Sequence, residues 1–178
     1  RSHRGTRRNT GPALDRAITG YEAALALDPR FAWALNEECG SLAMRGHREA
    51  RVGADPAATF ERALGLCRRA LEVDPDFLFP WANTLLALDN DAERLVAKGA
   101  SPLATIERGL EAAIAGEQRH PEWRWGPVWE ASLHRLRAEY DLARGEDPGP
   151  ALALAGQSLA KLAPYRASFT DGDATEGE

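Results

Sequence analysis

Cysteine is scarce in this chain. Cys39 and Cys67 are the only two among 178 residues, and they lack metal-ligand spacing. A reducing, cytoplasmic setting is the expectation that follows. Long apolar runs are also missing. None approaches the roughly 18–20 residues that a membrane-spanning helix needs, and no basic, apolar and small-residue series opens the chain as a secretory leader would. Positive charge is not in excess. The net charge is −5, which speaks against general attraction to nucleic-acid phosphates. Sustained strand alternation punctuated by hairpin turns is lacking too, which points to an all-α fold. No Gly-rich phosphate loop, His-Arg-Asp or Asp-Phe-Gly element occurs, so no catalytic motif and no cofactor are expected. What is present is the balance of a globular protein: 44% hydrophobic and 28% charged residues, enough for one domain with a sizeable core.

The dominant feature is a repeat. Asp28-Pro29-Arg30-Phe31 recurs as Asp74-Pro75-Asp76-Phe77 and as His120-Pro121-Glu122-Trp123, in steps of 46 residues. A second signature, Gly53-Ala54-Asp55-Pro56, recurs as Gly99-Ala100-Ser101-Pro102 and Gly145-Glu146-Asp147-Pro148, on the same step. The glycines suit the left-handed position just past a helix. Lys98 and Arg144 place a cation at two helix C-termini. Asp55, Ser101 and Asp147 read as N-caps, and Pro56, Pro102 and Pro148 as first helical residues. One helix stops and the next starts within a few residues, so the two are antiparallel neighbours.

Apolar stripes at spacings of three and four fall between these signals. Leu14, Ala17, Ile18, Tyr21 and Leu25 form one; Phe60, Ala63, Leu64, Cys67 and Leu71 repeat it. Ile106, Leu110, Ala113 and Ile114, then Leu152, Ala155 and Leu159, continue it. These predict B helices over 12–27, 57–73, 102–119 and 148–163. Longer A helices are predicted over 32–52, 78–98 and 125–144. Their stripes are Leu35, Cys39, Leu42; Trp81, Leu85, Leu88; and Trp129, Leu133, Leu136, Tyr140. The helical domain then covers 12–164. The basic start, 1–11, and the acidic end, 165–178, lack periodicity and read as disordered linkers.

Ala24-Leu25-Ala26-Leu27-Asp28-Pro29 and Ala70-Leu71-Glu72-Val73-Asp74-Pro75 resemble the close of a tetratricopeptide repeat, and Trp81-Ala82-Asn83-Thr84-Leu85 resembles its opening. The family's usual repeat is 34 residues; this one is longer. The resemblance implies an α-α superhelix of about seven helices, with A helices lining a concave groove that takes a protein or peptide partner. Aligning Leu35, Trp81 and Trp129 puts Asn36, Asp89, Asn90, Glu130, His134 and Arg137 on that groove, with Asn83 nearby. Arg144-Gly145-Glu146-Asp147-Pro148-Gly149-Pro150-Ala151-Leu152 is similar to long repeats C-terminal to some bacterial serine/threonine protein kinases. A kinase upstream is implied by that resemblance alone. Arg1 at the start, and a B helix with no A helix before it, suggest a fragment of a longer protein.

Several residues invite chemistry and are read as structural. Cys39 and Cys67 share slots with Leu85 and with Tyr21 and Ala113, so two separate buried small hydrophobes are expected rather than a redox pair. His3, His47, His120 and His134 have no partner at metal-ligand spacing. The adjacent carboxylates Glu37 and Glu38 point about 100° apart on a helix, and at least one is read as solvated. Arg16, Arg62 and Arg108 step by 46, with Asp15, Glu61 and Glu107 beside them, as a solvated outer face would. Trp81 and Trp129 read as packing residues. Trp125 has no matching slot and is the candidate exposed aromatic anchor.

Overall fold

The structure is a computed structural model, and it describes residues 11–165. The arm and tail expected at the two ends lie outside the described residues, except that Gly11 already belongs to the first helix and Tyr165, expected to open the tail, is helical. Seven helices follow in order: α1 (Gly11–Leu27), α2 (Ala32–Arg51), α3 (Ala57–Val73), α4 (Phe79–Ala97), α5 (Leu103–Arg119), α6 (Gly126–Ala143) and α7 (Gly149–Ala160). No strand occurs among the described residues. Each predicted helix is present within a few residues of its expected bounds.

The punctuation works as backbone chemistry. Gly53, Gly99 and Gly145 have φ of 84°, 67° and 75°, which an L side chain rarely adopts. The amide of each glycine donates three residues back, and the next amide donates five residues back, as in Ala54 N–H to Glu49 O at 2.9 Å. This pair of bonds satisfies carbonyls left open at the helix end. The entry to the next helix differs from expectation by one residue. Pro56, Pro102 and Pro148 lend their carbonyls to the first helical hydrogen bond, so they are the N-cap residues. Asp55 and Asp147, one position further out, accept the amides of Ala57 and Gly149. In the other turn, the Asp28 and Asp74 carboxylates accept the amides of Arg30 and Asp76.

Short antiparallel links make α2, α4 and α6 run parallel to one another. They pack in series, α2 on α4 and α4 on α6, while the odd-numbered helices pack against their neighbours in that layer. Two cores result. One holds Ile18, Leu35, Cys39, Leu42, Phe60 and Leu66; the other holds Leu85, Ala92, Ile106, Trp123, Leu133 and Leu136. Trp81 and Trp129 pack half-buried against the second, as expected. The stripe expected on α7 is corrected. Leu152 and Leu159 stay half exposed, while Ala151 and Ser158 are buried. Among the described residues α7 packs chiefly on α6.

Cys39 and Cys67 are fully buried but are not separate hydrophobes: they form a disulfide between α2 and α3. Their slots face each other, with Cα atoms 5.5 Å apart, within the usual span for such a bond. The bond closes a separation of 28 residues, which should contribute roughly 3.5 kcal/mol. Reduction is therefore expected to lower the unfolding free energy by about that amount in a urea titration. Equal stability with and without reductant would show that the two thiols are unbonded in solution.

Close helix contacts use missing side chains. A Cβ on Gly46 of α2 would sit 2.6 Å from the Phe60 ring of α3, whereas one on Gly20 of α1 would meet nothing within 4 Å. Gly46→Ala should destabilise by about 1–3 kcal/mol through overpacking. Gly20→Ala should stabilise by about 0.5–1 kcal/mol through helix propensity. Thermal unfolding of the two variants checks the opposite signs.

Candidate functional site

The structure redistributes the groove residues. Asn36 is buried, at 1% exposure. It accepts from Asn83 Nδ2 at 2.9 Å and donates to Glu37 at 2.9 Å. Gly40 leaves room for this contact, since a Cβ there would come within 2.9 Å of the Asn83 amide. Asn36 and Asn83 thus join α2 to α4. Asp89 lies half-buried on α4, and its Oδ1 has no hydrogen-bond partner. Burial raises its pKa, against the Ser132 hydroxyl and Arg135 of α6. Arg137 is bound to Asp141 one turn along its own helix, at 2.7 and 2.8 Å. Glu130 is buried and ion-paired with Lys161 at 2.7 Å, so it faces the odd-numbered helices and not an open groove. His134 lies near it; burial and then Lys161 lower its pKa against Glu130. Asn90 does line an open cleft of about 370 Å³, with His47, Arg51, Glu93 and Lys98.

The displacement has a geometric cause. The expected alignment steps 48 residues from Trp81 to Trp129. The prolines that open α4 and α6, Pro80 and Pro127, step by 47, and the closing glycines step by 46. Each residue of slip turns a side chain by about 100° around the helix.

Buried carboxylates clamp the layers together. Glu38 of α2, at 1% exposure, is bound by Arg62 of α3, which also holds Glu22 of α1 at 2.6 Å. Glu130 of α6 repeats the arrangement with Lys161, which also holds Glu117 of α5 at 3.0 Å. Neither Glu37 nor Glu38 is freely solvated, and they share no site: Glu37 is half-buried beside Asn36. The arginine series is exposed as expected, and two of its members are paired within the fold: Arg62 holds Glu22 and Glu38, and Arg108 reaches Glu61 at 2.8 Å. Among the described residues no group of three or more His, Cys, Asp or Glu is placed to hold a metal ion.

Burial raises the Glu38 pKa, outweighing the opposing pull of Arg62. A carboxyl with a raised folded pKa contributes stability that is full at acid pH and is lost as pH rises through that pKa. Glu38→Gln should remove this decline, so its Tm should gain on the parent as pH rises from acid to neutral. Parallel Tm profiles would show that Glu38 titrates alike folded and unfolded.

The open feature is aromatic. Trp33, Phe79 and Trp125 recur at steps of 46 and are 52%, 56% and 64% exposed. They stand at the N-terminal ends of α2, α4 and α6, which run parallel, so they form a row along one rim of that layer. Trp33 stacks on Phe77 at 5.7 Å and meets Phe79 edge-on at 6.2 Å. Trp125, the anchor anticipated from sequence, flanks a cleft of about 400 Å³ with Leu78, His120, Trp123 and Arg124. Trp125 falls on the same 46-residue step as Trp33 and Phe79, which sequence reasoning overlooked, although it is the N-cap of α6 where Phe79 is the first residue of α4 and Trp33 the second of α2.

Rim charge is largely spent within the fold. Asp76 pairs with Arg119 at 2.6 Å, Asp28 and Asp74 bind local amides, and Arg124 lies over the Tyr165 ring at 4.3 Å. No family model, curated protein or solved structure matches the chain.

Proposed function

We propose that the chain is a protein–protein interaction module built from long tetratricopeptide-like repeats, with no catalytic activity and no cofactor. The carrying observation is the row Trp33, Phe79 and Trp125. Three large aromatics, each more than half exposed and one per repeat, are costly to leave in water and suit the anchors of a binding surface. Successive repeats present the same groups along an extended face, which suits an extended partner. Asn90 and its cleft add a polar contact at the opposite ends of the same helices. The net charge of −5 favours a protein partner over nucleic acid, and no helix among the described residues is long and apolar enough to cross a membrane.

The kinase-like resemblance near Arg144 supports a finer reading: the regulatory C-terminal part of a bacterial serine/threonine protein kinase. A stand-alone adaptor is the alternative, with a helical-repeat ligand-binding or enzymatic domain behind it, and the coding sequence upstream of Arg1 decides between the kinase tail and the adaptor. Cytoplasmic residence, the expectation from scarce cysteine, stands against the Cys39–Cys67 bond, because disulfides persist in oxidising compartments. Counting thiols on protein alkylated at harvest separates the two.

The module itself is tested by selecting a random peptide library on the folded protein. Enriched peptides should lose affinity at least ~10-fold for a variant carrying Trp33→Ala, Phe79→Ala and Trp125→Ala, with little change in Tm. Failure to enrich any peptide would remove the reading.

A further inference from the structure

We infer that the cleft between α3 and α5, floored by α4, is a binding site for a small monocarboxylate with an apolar body. The site uses none of the rim aromatics and stands apart from the interaction-module reading.

Two neighbouring clefts are one feature repeated. The cleft between α1 and α3 holds about 500 Å³ and the one between α3 and α5 about 490 Å³. Glu22, Leu25, Glu38 and Arg62 line the first; 46 residues on, Arg68, Leu71, Thr84 and Arg108 line the second. Size and position are kept, and the charges are not. In the first cleft Glu38 is buried in the floor, and Arg62 holds it together with Glu22. Between α5 and α7 the floor slot is again a carboxylate, Glu130, held by Lys161 together with Glu117. In the middle cleft both carboxylates of the first are gone. Thr84 stands in the slot of Glu38 and Arg68 in that of Glu22, while the cation remains as Arg108.

The groups left behind lack partners. Arg62 holds two carboxylates; Arg108 holds one, donating from Nη1 to Glu61 at 2.8 Å. A guanidinium carries five donors, and among the described residues the others of Arg108 are unused. Arg68 has only a 3.7 Å approach to Glu72, one turn along its own helix. The Thr84 hydroxyl has no hydrogen-bond partner among the described residues, and it is not one of the unpartnered side-chain atoms sealed from solvent. A ligand atom can therefore reach it. The one other charged group in the cleft wall is Glu111, which is exposed.

A carboxylate set between Thr84 and Arg108 takes the place that Glu38 fills one repeat earlier. It accepts from the hydroxyl and, with charge assistance, from the guanidinium. The walls define the rest of the ligand. Leu64, Leu71, Trp81, Leu88 and Ala112 surround the polar pair, and the volume is that of a small-molecule site. A dianion would bring its second charge against Glu61 and Glu111. A sugar would set hydroxyls against apolar walls without partners.

The test is calorimetric titration of the whole chain with octanoate, below its micelle concentration, against octanol and acetate. Octanoate should bind saturably at one site, and less tightly as salt is added. Octanol, which lacks the carboxylate, and acetate, which lacks the chain, should each bind at least ~10-fold more weakly. The Trp81 indole N–H resonance, assigned by Trp81→Phe, should shift, and those of Trp33 and Trp125 should not. Thr84→Glu restores the residue type of the two neighbouring clefts, so it should abolish binding and keep Tm. Arg108→Gln should weaken binding at least ~10-fold, and Glu111→Gln should strengthen it. Glu38→Gln, in the first cleft, should leave it unchanged. No saturable binding, octanol equal to octanoate, or full binding by Arg108→Gln would overturn the inference, whether or not Thr84→Glu folds. So would a glutamate-bearing peptide that needs Thr84 and Arg108 where octanoate does not bind. A variant lacking Trp33, Phe79 and Trp125 should bind octanoate as the parent does, so failure of the module reading and failure of this one are seen separately.

Discussion

The left-handed glycine at the end of each even-numbered helix is the constraint on which the other features depend. At Gly53, Gly99 and Gly145 the chain must enter a backbone region where a Cβ collides with a carbonyl. There the chain turns back, and a proline a few residues later starts the returning helix. Because the same turn recurs at an unchanged step, α2, α4 and α6 all run in one direction. Parallel helices at a constant step turn sequence periodicity into spatial periodicity. The aromatic row exists for this reason. One aromatic in a repeat is a local event; an aromatic at the start of each of three parallel helices becomes a row.

Much of this was legible in the sequence, because punctuation residues act locally. Glycine and proline restrict their own φ, and a short carboxylate binds an amide two residues on, so Gly53, Pro56 and Asp55 mark a boundary without reference to the rest of the fold. The apolar stripes were legible for the same reason of short range. Facts that depend on how two helices face each other were less so. Cys39 and Cys67 each look like an ordinary small core residue, and only the crossing of α2 and α3 brings them together. Asn36 and Asn83 look like groove residues until Gly40 lets the two helices approach closely enough to bury Asn36 and bind it to Asn83. Glu130 was misplaced because one landmark, Trp129, was matched to Trp81 across a step that differs from the backbone's own.

The buried carboxylates show how the two layers are joined at cost. Glu38 and Glu130 occupy the same slot two repeats apart, with Thr84 between them. Each gives up water and is compensated by a cation, Arg62 on α3 or Lys161 at the C-cap of α7, itself shared with a carboxylate from the preceding odd-numbered helix. Such clamps are weak sources of net stability and stronger sources of specificity, because a wrong pairing would leave a buried charge alone. They fix which helices are neighbours more than how tightly they hold.

The disulfide ties α2 to α3 in the first core, and the second core has no covalent tie. Helix α4 is the shared wall, giving Leu86 and Ala87 to one side and Leu85 and Ala92 to the other. A chain built in this way resists deformation unequally along its length. Under mechanical load or transient opening, α5, α6 and α7 can peel away from α4 while the stapled half keeps its shape. Trp33 and Phe79 would then remain beside each other, and Trp125 would travel. The row would then be a fixed pair with a third member whose place depends on the unstapled half.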